Sequence, residues 1–533
     1  MNHRVLVIDD FENARKSARA MLLKMGVNQV FEAANAKEAM LLIQKNFFHV
    51  VLCDFNLGTG MDGQQLLEEL RYSKTLSYQT TYVMVTAETS REMVMGAVEI
   101  HPDDYLAKPY AFDSLAARWK RWIQRNNDLK VVLTALDDGE VGLIIDECNR
   151  IIQQNPRYRA WAQKLLSETL IKTEQLAQAE ILLSEWQSRR EQPWIWLELA
   201  RISFASGDLT QAESYVGKVI ELHPNYAQAY DLLADIYRRK NGLQRQYETL
   251  QTAVKISPRN HKRQDKLARV SYRLDDLQAA SKALKDSISL KNHTSLHNIE
   301  DYQRLLAIQV ESCSLDDQRH RRHYVAEITN ALKRIQEAFP DQAESGLTEK
   351  FYKMQLKAIS TPDFKPGEEE MNSLFEQISG ELENSSGELG LSVASFFYEH
   401  GRMDQADQLV NRLRAKDPDK EDFVHRLNEL QSEPITKDSR KEAARLNAIA
   451  KRHYEQKNVD RAMQFFERAL EISPRNPALI LNYVQCVLKA KRNSAFVDNA
   501  DQLNSYLNRL SYLHEDSPQY ARYEKLKKLM ESS

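Results

Sequence analysis

Asp9-Asp10 ends one apolar run, Asp54 ends another, and Lys108-Pro109 comes after a third, with Thr86 between them. Three carboxylates held a few ångströms apart repel one another, and a hard cation that prefers oxygen ligands, such as Mg²⁺, relieves that repulsion. The same cation neutralises an incoming phosphoryl group. A carboxylate can then act as covalent nucleophile and become an aspartyl phosphate, with the Lys108 ammonium pairing with the phosphoryl oxygens and Thr86 offering a hydroxyl. Either Asp9-Asp10 or Lys-Pro alone is an ordinary junction; the whole set, in order, is what carries this chemistry.

Such a set needs elements that bring it together. Val5-Leu-Val-Ile8, Val50-Val-Leu-Cys53 and Tyr82-Val-Met-Val85 are short and β-branched, and polar residues follow each, as in buried parallel strands. Amphipathic stretches separate them, roughly Asn13 to Met25, Ala36 to Lys45, Gly63 to Tyr72 and Ser90 to Val98. Strands alternating with helices imply a doubly wound α/β sheet, whose ligands bind beyond the carboxyl ends of the strands. Asp9, Asp10, Asp54, Thr86 and Lys108 all fall at that end.

This pattern resembles the receiver domain of two-component response regulators over about residues 1 to 124, a flavodoxin-like fold with a five-stranded parallel sheet. The resemblance implies Asp54 as phosphoacceptor, and Asp9, Asp10, Asp54 and the Asn56 backbone carbonyl around Mg²⁺. It implies Thr86 and Tyr105 as a switch pair, Ala87 and Lys108 at the phosphoryl group, and a cis bond to Pro109. Asn56 and Glu88, two residues beyond Asp54 and Thr86, match the positions that tune dephosphorylation in the family. One departure concerns the loop from Asn56 to Gly63: Gly58 stands where many receivers have proline, and the loop is one residue longer. That puts its rigidity in question.

A chain of 533 residues exceeds one core, and a net charge of −3 gives no general signal for a polyanion. Four apolar residues before Asp9 are too few for a signal peptide, and no stretch of 18 uncharged apolar residues follows. The expectation is a soluble cytoplasmic protein with no membrane contact. Cys53, Cys148, Cys313 and Cys486 are scattered, without CxxC spacing, and read as reduced packing residues.

Past the helix expected from Phe112 to Gln124, strand signals nearly vanish and helix formers dominate. Pro224 and Pro258 stand 34 residues apart, each closing an amphipathic helix pair, and that is the period of the tetratricopeptide repeat. With Pro193 taken as a repeat start, and with two steps of the same period back from Pro224 landing on Pro156, the register covers roughly 125 to 292. The unit around Leu267, Ala268, Ala280 and Leu284 lacks the closing proline and reads as degenerate or as a cap. Ala394, Phe397, Ala406, Val410 and Leu413 form a later match, and Leu446, Ala450, Ala462, Phe466, Ala469 and Pro474 a cleaner one. The organisation expected is a receiver at 1–124, a repeat array at 125–300, divergent helical repeats at 301–435 and C-terminal repeats at 436–533. Such units stack into an all-α solenoid that offers a binding surface.

Other clusters yield to simpler explanations. His293 and His297 have i, i+4 spacing but lack further ligands, so a solvated helix face is expected. Arg319-His-Arg-Arg-His323 and Glu368-Glu-Glu370 read as charged surface. Trp119 and Trp122, three apart on one helix side, pack either on the receiver's own core or on the first repeat helices, where they would couple the domains.

The leading functional expectation is a phosphorylation-dependent response regulator without an enzymatic output. A histidine kinase or phosphotransfer protein phosphorylates Asp54, and the repeats bind a protein partner. A DNA-binding transcriptional regulator is the alternative, although neither a recognition-helix module nor a concentrated basic face follows the linker. No P-loop, Gly-rich phosphate loop or nucleophile elbow after residue 124 supports an output enzyme.

Overall fold

The structure, a computed structural model, describes residues 3–87, 102–189, 192–315, 318–361, 364, 366–400, 402–418, 420–432, 437–474, 476–491, 503–504, 506–507, 510 and 519–531. The chain divides into two compact units, residues 1–312 and 313–533.

The first unit opens with a parallel sheet of β1 (Arg4–Ile8), β2 (Gln29–Ala33), β3 (Val50–Asp54), β4 (Thr81–Thr86) and β5 (Asp104–Ala107), in the order β2-β1-β3-β4-β5. Alternate side chains serve opposite faces. Leu6, Ile8, Val51 and Cys53 pack with Leu66, Leu67 and Leu70 on one face, against α2 (Ala36–Lys45) and α3 (Gly63–Tyr72). Val5, Val7, Val50 and Leu52 pack on the other with Leu22, Leu115, Trp119 and Trp122, from α1 (Glu12–Lys24) and α4 (Phe112–Asp128). The two tryptophans therefore belong to the receiver's own core. Asp104 fixes α4 further, accepting from Arg118 Nη1 at 2.6 Å and from Trp122 Nε1 at 2.9 Å. Burial alone would raise the Asp104 carboxyl, but these donors outweigh it and lower it. The helix expected over Ser90 to Val98 lies outside the described residues.

Beyond α4 come α5 (Lys130–Asp138) and α6 (Val141–Gln154), then hairpins of strict register. The first helices, α7 (Arg159–Lys172), α9 (Pro193–Ala205), α11 (Ala227–Arg239) and α13 (His261–Arg273), each start 34 residues after the last. Their partners are α8 (Leu176–Arg189), α10 (Leu209–Leu222), α12 (Leu243–Ile256) and α14 (Leu277–Lys291). The helix-to-helix turn repeats one backbone device. Glu174, Gly207, Asn241 and Asp275 all take left-handed φ, at 59°, 85°, 55° and 59°. At three of these turns the next amide closes onto the preceding helix, Gln175 N to Leu170 O, Gly242 N to Tyr237 O and Asp276 N to Ser271 O.

The hairpin of α13 and α14 is complete despite its missing proline. α14 runs to Lys291 and gives way to the segment 292–298 before α15 (Ile299–Leu315). His293 and His297 lie in that segment and on no helix face: His293 has φ 65°, and the His297 ring meets the Tyr302 hydroxyl at 3.0 Å.

In the second unit, helices Gly387–Glu399 and Met403–Lys416 form a hairpin in which Ala394, Phe397, Ala406, Val410 and Leu413 are fully buried. Helices Lys437–Glu455, Val459–Ile472 and Pro477–Lys491 build a separate core with Leu446, Ala450, Ala462, Phe466 and Ala469 inside it. All four cysteines are free and buried. Among the described residues no helix is long and apolar enough to cross a membrane.

A carboxylate cluster at the end of a parallel sheet

β1 and β3 are neighbours and parallel, so their carboxyl ends deliver Asp9, Asp10 and Asp54 to one place. One oxygen from each carboxylate lies within 4.8 Å of the others. Asp9 is held by its surroundings: Oδ1 accepts from Phe11 N at 2.9 Å, and its carbonyl accepts from Arg15 Nη1 at 2.6 Å. Asp54 Oδ1 accepts from Phe55 N at 2.9 Å. Lys108 reaches across from the end of β5, with Nζ 2.7 Å from Asp9 Oδ2 and 3.0 Å from Asp54 Oδ2. Asp10 Oδ1, in contrast, is buried without a hydrogen-bond partner.

The electrostatics follow from one ammonium serving two carboxylates. Burial pushes the Asp54 carboxyl up, and Asp9 adds to this, so the single Lys108 contact does not restore its usual acidity. Burial would lower the Lys108 ammonium, but hydrogen bonds to both Asp9 and Asp54 prevail and raise it. The cluster thus carries negative charge in excess, with an unsatisfied carboxylate oxygen on Asp10. Oxygen-only donors in that arrangement suit a hard divalent cation.

Thr86 ends β4 and its carbonyl accepts from Lys108 N at 2.8 Å, while Ala87 beyond it is exposed. The Lys108-Pro109 peptide is cis. Tyr105 lies on β5 with its hydroxyl buried and without a hydrogen-bond partner, and burial raises that phenol. Asn56 begins the exposed loop, its Oδ1 accepting from Gly58 N at 3.2 Å. Gly58 has φ 73°, and a Cβ there would sit 3.4 Å from Asp10 Oδ2. Proline, restricted to negative φ, does not fit this backbone. Glu88 lies outside the described residues.

Sequence reasoning passed over the other end of that loop. Asp62 caps α3, accepting from Gln65 N at 2.8 Å while Gln65 Oε1 accepts from Asp62 N at 2.9 Å. The spacing Asp62-x-x-Gln65 is a capping-box signal and was available in the sequence. Gly63 follows, so close to the end of β3 that a Cβ would lie 2.3 Å from Asp54 O. The receiver also meets the repeats here. Arg259 forms an ion pair with Asp62 and lies over the Phe55 ring, 5.3 Å from its centroid. Gln65 Nε2 donates to Leu290 O at 2.9 Å, and Glu69 Oε2 accepts from Ser295 N and Oγ at 2.8 and 2.9 Å. A second tether joins Asp137 of α5 to the loop before β4, accepting from Tyr78 N at 2.7 Å and Ser77 Oγ at 2.6 Å.

A five-stranded parallel sheet with an acid cluster and a lysine at its carboxyl end, joined to helical hairpins, defines a receiver-type domain on a repeat scaffold. Residues 5–120 match the response regulator receiver domain and residues 453–498 match the tetratricopeptide repeat. The chain thus carries an N-terminal domain of the response regulator receiver family and a tetratricopeptide repeat later on. It is 29% identical over 124 residues to the chemotaxis protein CheY-3 of Vibrio cholerae, covering 23% of this chain and 94% of that protein. Identity to the chemotaxis protein CheY of Pseudomonas aeruginosa is 27% over 124 residues, covering 23% and 98%. Among solved structures, the receiver domain of Francisella response regulator 1452 is 31% identical, covering 23% of this chain and 98% of that one, with a TM-score of 0.21.

Proposed function

We propose that this protein is a phosphorylation-dependent response regulator in a two-component phosphorelay, whose output is protein binding by its helical repeats. The observation that carries this reading is the acid cluster itself, with Asp54 beside Lys108 and an orphaned carboxylate oxygen on Asp10. In the forward step an Asp54 carboxylate oxygen attacks the phosphorus of a phosphohistidine on a kinase or phosphotransfer protein. The P–N bond breaks as the P–O bond forms, and the imidazole leaves with the bonding pair. Asp9, Asp10, Asp54 and the Asn56 carbonyl would hold Mg²⁺, which supplies positive charge against the transferring phosphoryl group.

Lys108 sits where its ammonium can exchange Asp54 for a phosphoryl oxygen, and the Thr86 hydroxyl supports the same group. A buried Tyr105 hydroxyl without a partner suits a side chain that answers a change at Thr86. Hydrolysis of the acyl phosphate resets the switch, and no separate output enzyme is proposed. The protein acts in the cytoplasm.

The test uses acetyl phosphate with Mg²⁺ and intact-mass spectrometry. Wild type gains one phosphoryl group, and Asp54→Ala gains none. Equal labelling of the two, or none in wild type, removes this reading. Affinity capture with wild-type and Asp54→Ala bait then identifies partners that differ with the state of the switch.

A further inference from the structure

The loop 55–62 begins at the residue after Asp54 and contains Asn56, whose carbonyl the metal site needs. It also contains two glycines in positive φ, Gly58 at 73° and Gly60 at 107°. Glycine-rich backbone is the most expensive to order. Gly63 N donates to Phe55 O at 2.8 Å and closes the loop from within, and a brace from the repeats adds to it. One side chain reaches both of its ends. Arg259, in the turn between α12 and α13, covers Phe55 at the start and pairs with Asp62 at the finish. Its Nε also meets Gln64 Oε1 at 3.3 Å, and its carbonyl accepts from Gln64 Nε2 at 3.4 Å. The contact does not stand alone, since Gln65 and Glu69 on the next turns of α3 engage Leu290 and Ser295.

We propose that Arg259, contributed by the repeat array, is a positioning residue of the receiver's phosphorylation site: it pins both ends of loop 55–62, so cation affinity at Asp54 depends on the docking of α3 against the repeats. The proposal rests on the phosphorylation-site reading above. Coupling of this kind is reciprocal. Whatever a cation or phosphoryl group does to the loop is felt at the turn before α13, and a partner that shifts that turn changes occupancy at Asp54.

The experiment titrates Mg²⁺ calorimetrically into the full chain as wild type, Arg259→Ala, Arg259→Lys, Asp62→Asn and the Arg259→Ala/Asp62→Asn double variant. Arg259→Ala weakens Mg²⁺ binding roughly tenfold, the lower range for outer-shell partners of a metal site. Asp62→Asn keeps an oxygen to cap α3, removes the ion pair and weakens Mg²⁺ by a smaller factor. The double variant is no weaker than Arg259→Ala, because both changes remove one contact. Arg259→Lys recovers part of the loss. Amide hydrogen exchange quickens over 55–62 in Arg259→Ala, whereas the strands stay protected. Unchanged Mg²⁺ affinity and exchange in Arg259→Ala overturn the proposal while leaving the phosphorylation reading in place. If Arg259→Ala does not fold, Asp62→Asn decides by the same two readouts. A wild type that binds no Mg²⁺ removes both.

Discussion

Lys108 Nζ stands 3.0 Å from Asp54 Oδ2 and, through the same ammonium, 2.7 Å from Asp9. One cation therefore serves two carboxylates, of which burial has already made Asp54 reluctant to ionise.

Removing either side of that contact has opposite effects. Asp54→Asn deletes a carboxylate whose ionised form is disfavoured in the fold, so it stabilises the unliganded chain by about 1 kcal/mol. Lys108→Ala leaves Asp9 and Asp54 uncompensated and destabilises by about 1–2 kcal/mol, less than for a fully enclosed pair because the lysine is partly solvated. Thermal unfolding with and without Mg²⁺ checks both: Mg²⁺ raises the midpoint of Lys108→Ala more than that of wild type and leaves Asp54→Asn unmoved.

Gly63→Ala tests how tightly α3 is wedged against the end of β3 at Asp54. A Cβ would press on Asp54 O at 2.3 Å and Cys53 Sγ at 3.1 Å, and neither neighbour is a free side-chain end. The change costs about 2 kcal/mol in urea unfolding. Phosphoryl uptake falls with it, since the displaced backbone is that of Asp54.

Glu68 gives the contact between α3 and the repeats a pH dependence. Burial pushes its carboxyl up to about 7, and Asp62 adds to this, against a hydrogen bond from Gln64 and the charges of Arg259 and Lys262. A raised acid favours the folded state in its protonated form. Its contribution is full below the ordinary value of 4.5 and lost as pH rises through about 7. Exchange protection at 290–295 falls between about pH 4.5 and 7 in wild type and levels off above that. Glu68→Gln flattens the profile.

Glu174 and Asp275 hold left-handed backbone that Gly207 occupies without strain. Glu174→Gly and Asp275→Gly each stabilise by about 0.5–1 kcal/mol, and Gly207→Ala destabilises by about 1 kcal/mol. Equal midpoints across the three variants would count against this account of the turns.

The sequence made the acid cluster legible because β1, β3 and β4 are unbroken apolar runs buried on both faces. β2 and β5 escaped segment-by-segment reading for the opposite reason. They lie at the sheet's edges, half-exposed, with Glu32 and Asp104 inside them. The repeat register was readable from Pro224 and Pro258 because proline is excluded from helix interiors and so marks their boundaries. Trp119 and Trp122 were undecidable from spacing alone, since either core could take the same helical side. His293 misled because i, i+4 spacing says nothing once a left-handed residue has ended the helix. Arg259 left no trace: its partners Asp62 and Phe55 lie some two hundred positions away, and polar contacts at that distance follow no period.

Among the described residues, the receiver is tied to the later chain at two places, at Asp137 just after it and at Arg259, Leu290 and Ser295 much later. A stack of repeats usually tolerates gain or loss of a unit, because each unit touches only its neighbours. Here the stretch between the two ties must span one fixed distance across a domain of fixed size. The receiver therefore acts as a gauge for the stack, and a chain with one more or one fewer hairpin between α5 and α13 could satisfy only one of its ties.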